Sequence, residues 1–200
     1  MVALLALLLA ASPPPTQPSQ LATLAARMAA APAWQADFVQ DLVPAGFSEG
    51  TREAGTLVVA PPARLRFDYG ADGRIFAVSG SVARQVDLQT GGCDAVLLSA
   101  STWSRLPLAT ILDPAAAAGS FVISEAPGMI GLTPREPIPE LATVEIRLDQ
   151  AGNVASVMVL DQTGNRNTFS FSRWRRLPAQ PVSTFEPALP GHVPCRPEGS

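Results

Sequence analysis

Apolar residues first recur at helical spacing and then switch to every second position. Leu21, Leu24, Ala25 and Met28 fall on one helical face, Ser19 stands where it can cap the first turn, and Pro32 marks the end. From Trp34 the period is two. Trp34, Ala36, Phe38 and Leu42 point one way, and Gln35, Asp37 and Asp41 the other. Val39 and Gln40 break the alternation, apolar on the polar side and polar on the apolar side. The stretch 55–69 alternates most clearly. Leu57 and Val59 share parity with Leu65, Phe67 and Tyr69, while Arg64, Arg66 and Asp68 occupy the opposite face. One apolar and one charged face is the pattern of a half-buried antiparallel strand.

Tyr69–Gly73 reads as a turn, and 74–78 and 82–88 read as strands joined through Ser79-Gly80-Ser81. Helical spacing returns at Leu106, Ala109, Leu112 and the alanines 115–118, interrupted by Pro114. Strands resume over 121–124, 130–133 and 143–149, where Val144, Ile146 and Leu148 alternate with Glu145, Arg147 and Asp149. Matching turns, Asp149–Asn153 and Asp161–Asn165, flank the strand 154–160, and Phe169 and Phe171 continue the apolar face. The expectation is a mainly β (α+β) protein, with a single curved antiparallel sheet of about ten short strands forming a half-open barrel covered by helices. The strands are too short and irregular for a transmembrane barrel, whose strands need ~9–11 residues each.

Met1–Ala11 is an apolar run far below the ~20 residues of a membrane-spanning helix. It predicts a signal peptide over 1–11, cleaved near Ala10–Ser12, then a Pro/Ser/Gln linker over 12–19, one domain over 20–196 and a tail over 197–200. Pro13-Pro14-Pro15 opposes the alternative of a buried N-terminal helix. No cysteine follows the run, so no lipid attachment is expected there.

Composition narrows the chemistry. The 200 residues suit one domain, and all 14 basic residues are arginine against 17 acidic ones, for a net charge of -3. A nucleic-acid partner needs a dense basic surface, which is missing. A single histidine, His192, removes His-rich metal sites and the usual hydrolytic triads. Asp161 and Asn165 lack the other oxygen ligands of a calcium loop and read as turn formers. No catalytic group, metal ligand set or cofactor is expected. Cys93 and Cys195 fit neither a redox motif nor a zinc site. They are either a disulfide, which in an oxidising compartment would constrain the unfolded chain by about 4–5 kcal/mol, or two buried thiols. Arg173-Trp174-Arg175-Arg176 reads as a snorkelling strand end or as a surface for an anionic membrane or partner. The apolar sheet face is a plain core if helices cover it fully and a ligand cavity if they do not.

Phe38-Val-Gln40, the run from Gly55 to Pro62 and the run from Leu65 to Tyr69 resemble the opening signature of the outer-membrane lipoprotein carrier (LolA) family. Leu106–Leu112 is similar to that family's central helix, and Asp161–Asn165, Phe185-Glu-Pro187 and Pro190-Gly191 to its late turn and C-terminal strand. The likeness spans about 38–193.

The resemblance implies a periplasmic chaperone and not an enzyme, expected as a monomer, with acylated lipoproteins as cargo. Its implied partners are an inner-membrane lipoprotein-exporting ABC transporter and an outer-membrane acceptor. Three long acyl chains left in water would cost roughly 30–40 kcal/mol at ~0.8 kcal/mol per CH₂, so crossing an aqueous gap calls for a protein cavity. Release calls for a lid with two positions. Carried over by position, Leu57, Val59, Leu65, Phe67 and Tyr69 would line the lipid-binding cavity, and Leu108, Ile111 and Leu112 would lie on the lid. Pro61 stands where the family's well-studied branch has an arginine that bonds the lid shut. Arg64 and Arg66 have the wrong parity to replace it, so lid control is expected to differ. The alternatives are a lipid- or peptide-binding accessory or sensor module of the envelope, and a lipid hydrolase, for which the sequence offers no nucleophile beside a base.

Overall fold

The computed structural model describes residues 19–70, 72–99 and 118–197. The 1–11 leader and the Leu106–Leu112 helix lie outside the described residues. Helix α1, Gln20–Ala29, starts where the spacing placed it. The Ser19 hydroxyl accepts from the Ala22 N–H at 3.1 Å. A second cap comes from 105 residues away, since the Glu125 carboxylate accepts from the N–H groups of Gln20 (2.9 Å) and Leu21 (3.0 Å). Leu21, Leu24 and Met28 are the buried stripe.

The strands are β1 Ala33–Val43, β2 Thr51–Ala60, β3 Arg64–Tyr69, β4 Arg74–Ser79, β5 Val82–Asp87, β6 Gly92–Leu97, β7 Phe121–Ala126, β8 Met129–Pro134, β9 Thr143–Leu148, β10 Val154–Leu160 and β11 Arg166–Leu177. They form one antiparallel sheet of 11 strands in the order β6-β5-β4-β3-β2-β1-β11-β10-β9-β8-β7. The first six strands meander outward from β1, and the last five return from the far edge to close on it. The ten expected strands are present. The eleventh, β6, is an edge strand that buries only Cys93 and Ala95 in part, under the C-terminal segment, so its sequence lacks the apolar alternation that marks the others.

The inner face carries one continuous core, running from Ala83 on β5 to Phe121 on β7 and including the α1 stripe. The outer face of the first half is covered by the C-terminal segment. Phe185, in a 3-10 turn Val182–Phe185, packs on Ala33 and Ala60, and Cys195 packs on Ile75, Ala77 and Val86. Cys93 and Cys195 are joined as a disulfide, with Cα atoms 5.8 Å apart. Arg64 lies over the Phe185 ring at 5.4 Å, an Arg66 guanidinium N–H donates to the Thr184 carbonyl at 3.0 Å, and Arg84 Nε donates to the Cys195 carbonyl at 2.9 Å. The arginines of outward parity thus hold this strap. In place of a full C-terminal strand the chain forms two short paired pieces, β12 Ala188–Leu189 and β13 Val193–Pro194.

Candidate functional site

Register assembles the inner face row by row. Trp34 pairs with Val59, Val59 with Leu65 and Leu65 with Val78. The next row runs Ala36, Leu57, Phe67, Phe76. On the other side of β1, Phe38 pairs with Phe171 and Gln40 with Phe169, which continues through Val157 and Ile146 to Ile130. The five expected lining residues therefore share one face. Leu57, Val59, Leu65 and Phe67 are almost fully buried there, at 0–4% exposure, while Tyr69 is half-buried. Leu108, Ile111 and Leu112 fall outside the described residues.

Aromatic rings from β1, β3 and β11 gather over the inner face. Phe38 stands edge-on to Phe67 and to Tyr69, each at 5.1 Å, and Phe67 lies 5.4 Å from Phe169. Gly55 makes room for this cluster, because a Cβ there would come within 2.9 Å of the Phe38 ring and 1.8 Å of the Asp68 carbonyl oxygen.

The face turns polar at the end of β1. Tyr69 Oη donates to Gln40 Oε1 at 2.7 Å, and Gln40 Nε2 donates to Asn167 Oδ1 at 3.0 Å. Arg74 lies over the Tyr69 ring at 4.8 Å and is ion-paired to Glu53 and, at 3.4 Å, to Asp72. Burial pushes the Tyr69 phenol up to about 12, the Glu53 carboxylate adds to the rise, and the Arg74 guanidinium opposes it. Tyr69, Arg74, Ile75, Phe76 and Gln85 line a small cavity of about 160 Å³. Of this group only Tyr69 was expected as a lining residue, placed on the apolar face by parity and in the cavity by the family resemblance. Gln40 carried a signal, as the polar residue on the apolar side of β1. Phe169 was placed on the apolar face by its alternation with Phe171, whereas Asn167 carried no signal, and the position of both beside Gln40 depends on which strand pairs with β1.

The basic-aromatic run on β11 has partners within the protein, while its arginines stay exposed. The β1–β11 register shifts between Gln35 and Asp37, and Arg173 adopts a left-handed φ of 55° at this bulge and is ion-paired to Asp37. Arg175 Nη2 donates to Gln35 Oε1 at 2.9 Å, Arg176 lies over the Trp34 ring at 5.4 Å, and Trp174 Nε1 donates to the Val154 carbonyl at 2.7 Å.

These features define a mainly β protein built on one broad antiparallel sheet, apolar on its inner face and strapped on part of its outer face. The family model described as "Outer membrane lipoprotein carrier protein LolA" matches residues 30–188, and the chain belongs to that family, one of carriers and not of enzymes. An outer-membrane lipoprotein carrier protein of Albidiferax ferrireducens is 28% identical over 177 residues, covering 76% of this chain and 78% of the relative. Among solved structures, a LolA superfamily protein from Nitrosomonas europaea is similar at a TM-score of 0.47 and 8% identity, covering 84% of this chain and 97% of that one. A DUF1329 family protein from Desulfovibrio piger is similar at a TM-score of 0.46 and 10% identity, covering 83% and 95%. The family assignment rests on the family model and not on these two likenesses.

Proposed function

We propose that the protein is an exported, periplasmic chaperone that holds the acyl chains of lipoproteins against the inner face of its sheet and carries them from the inner to the outer membrane. The observation that carries this reading is the continuous apolar inner face, with a ring-lined, half-buried end, on a chain of a carrier family. In this account the sheet curves as a half-barrel. The ring contact of Phe67 on β3 with Phe169 on β11, at 5.4 Å although β2 and β1 lie between the two strands, supports that curvature. Leu57, Val59, Leu65, Phe67 and Tyr69 form the wall, and Leu108, Ile111 and Leu112 contribute the lid. An inner-membrane ABC transporter supplies cargo, and an outer-membrane acceptor takes it.

The test is release. Spheroplasts making a labelled lipoprotein are incubated with the purified chain, and the supernatant is separated by size. A soluble complex of lipoprotein and chain is expected. Lipoprotein that stays with the membrane at every concentration of the chain contradicts the carrier role.

A further inference from the structure

Resting on the acyl-binding reading, we infer that the polar end of the inner face, formed by Gln40, Asn167 and Tyr69, is a subsite for the carbonyl oxygens of the ester and amide links that join acyl chains to a lipid's polar end. Gln40 breaks the alternation of β1 and lies on the inner face, paired in register with Glu53 on one side and Phe169 on the other. It is half-buried, as are Tyr69 and Asn167, whereas Leu57 and Leu65 further along the same face are closed off. An accessible part of the face is thus where rings and amides meet.

The hydrogen bonds run in one direction, from Tyr69 Oη to Gln40 Oε1 and from Gln40 Nε2 to Asn167 Oδ1. Among the described residues, the Asn167 side-chain N–H groups and the second Gln40 side-chain N–H have no acceptor. These donors face solvent, so a ligand's acceptor would take the place of water there, and a relay of this kind polarises the terminal amide towards donation. Charge narrows the class. Arg74, the guanidinium beside Tyr69, faces two carboxylates, Glu53 and Asp72, so the neighbourhood is net negative and disfavours a phosphate or carboxylate. A neutral carbonyl oxygen fits both requirements. Ester and amide carbonyls occur in both lipoprotein anchors and phospholipids, so both are used as probes.

The mature chain is titrated with a diacyl phosphatidylethanolamine, its dialkyl ether analogue of equal chain length and a synthetic triacylated cysteinyl peptide, each competing with an alkyl-chain fluorophore. Wild-type protein should prefer the diester to the diether by about 3–10-fold, the worth of one or two neutral hydrogen bonds. That ratio should fall towards one in Gln40→Leu and in Asn167→Leu, and by a smaller factor in Tyr69→Phe. A variant that loses its wild-type thermal transition is replaced by Asn167→Ala, which removes the spare donors with a smaller side chain. A parallel loss for the triacylated peptide assigns the subsite to a lipoprotein anchor as well, and a loss confined to the phospholipid assigns it to phospholipid. A wild-type ratio near one, or a ratio unchanged in the folded variants, overturns the subsite while leaving acyl binding in place. No displacement of the fluorophore by either phospholipid or by the peptide overturns acyl binding itself.

Discussion

Replacing Cys93 and Cys195 together by alanine should lower the unfolding free energy by about 4 kcal/mol. The bridge spans a sequence separation of 102, and closing a loop of that length removes about 4.7 kcal/mol of conformational freedom from the unfolded chain in the loop-entropy treatment. Part of this is recovered in the variant, because the strap gains freedom in the folded state once it is no longer tied to β6. Other attachments remain, namely Phe185 in its site on Ala33 and Ala60, Arg66 on the Thr184 carbonyl and Arg84 on the Cys195 carbonyl, so the strap should stay docked. Urea unfolding measures the effect. With a slope of about 2 kcal/mol per molar, the midpoint should fall by about 2 M, and reduced wild-type protein should unfold beside the variant. A shift below about 0.5 M would refute the reasoning, by showing that contacts alone hold the strap and that closing the long loop adds nothing.

Phe38→Ala removes the ring that Phe67 and Tyr69 pack against and should cost about 3–5 kcal/mol in the same unfolding assay. Gly55→Ala places a Cβ 1.8 Å from the Asp68 carbonyl oxygen, so β2 or β3 must shift, and about 1–3 kcal/mol should be lost. The chain has a single tyrosine, so ultraviolet titration reports Tyr69 alone, and its phenolate should appear near pH 12 in folded protein. The unfolded phenol ionises near 10, so the unfolded state binds fewer protons between these values. Stability is therefore intact below pH 10 and falls as pH rises towards 12, and Tyr69→Phe should flatten that fall.

Legibility followed periodicity. Strands β2 and β3 were readable because Leu57, Val59, Leu65 and Phe67 alternate against charge, and burial of that face enforces the pattern. β6 was missed because an edge strand that half-buries only Cys93 and Ala95, and those under a segment a hundred residues away, carries little to enforce alternation. Leu42, expected inward by parity, is 41% exposed, since β1 carries it to the rim opposite Thr51 and Asn167. The late Phe185 region was read as strand, but its ring serves as a plug on the outer face. Gln40 was visible as an exception without its meaning. That meaning needs Asn167 and Phe169, which reach it only because the last long strand pairs with the first. Such long-range pairing leaves no mark on local spacing. The arginines 173–176 show the same limit, because their partners Asp37, Gln35 and Trp34 lie on the first strand and are reached only through that pairing.

Native mass spectrometry of tagged protein, gently isolated from the periplasm of cells overproducing one lipoprotein, tests the central claim most directly. The account predicts a one-to-one adduct whose mass is that of the triacylated lipoprotein, absent when the same lipoprotein is made without its acylated cysteine. Protein that carries no lipoprotein under these conditions, or that binds the unacylated form equally well, would contradict it.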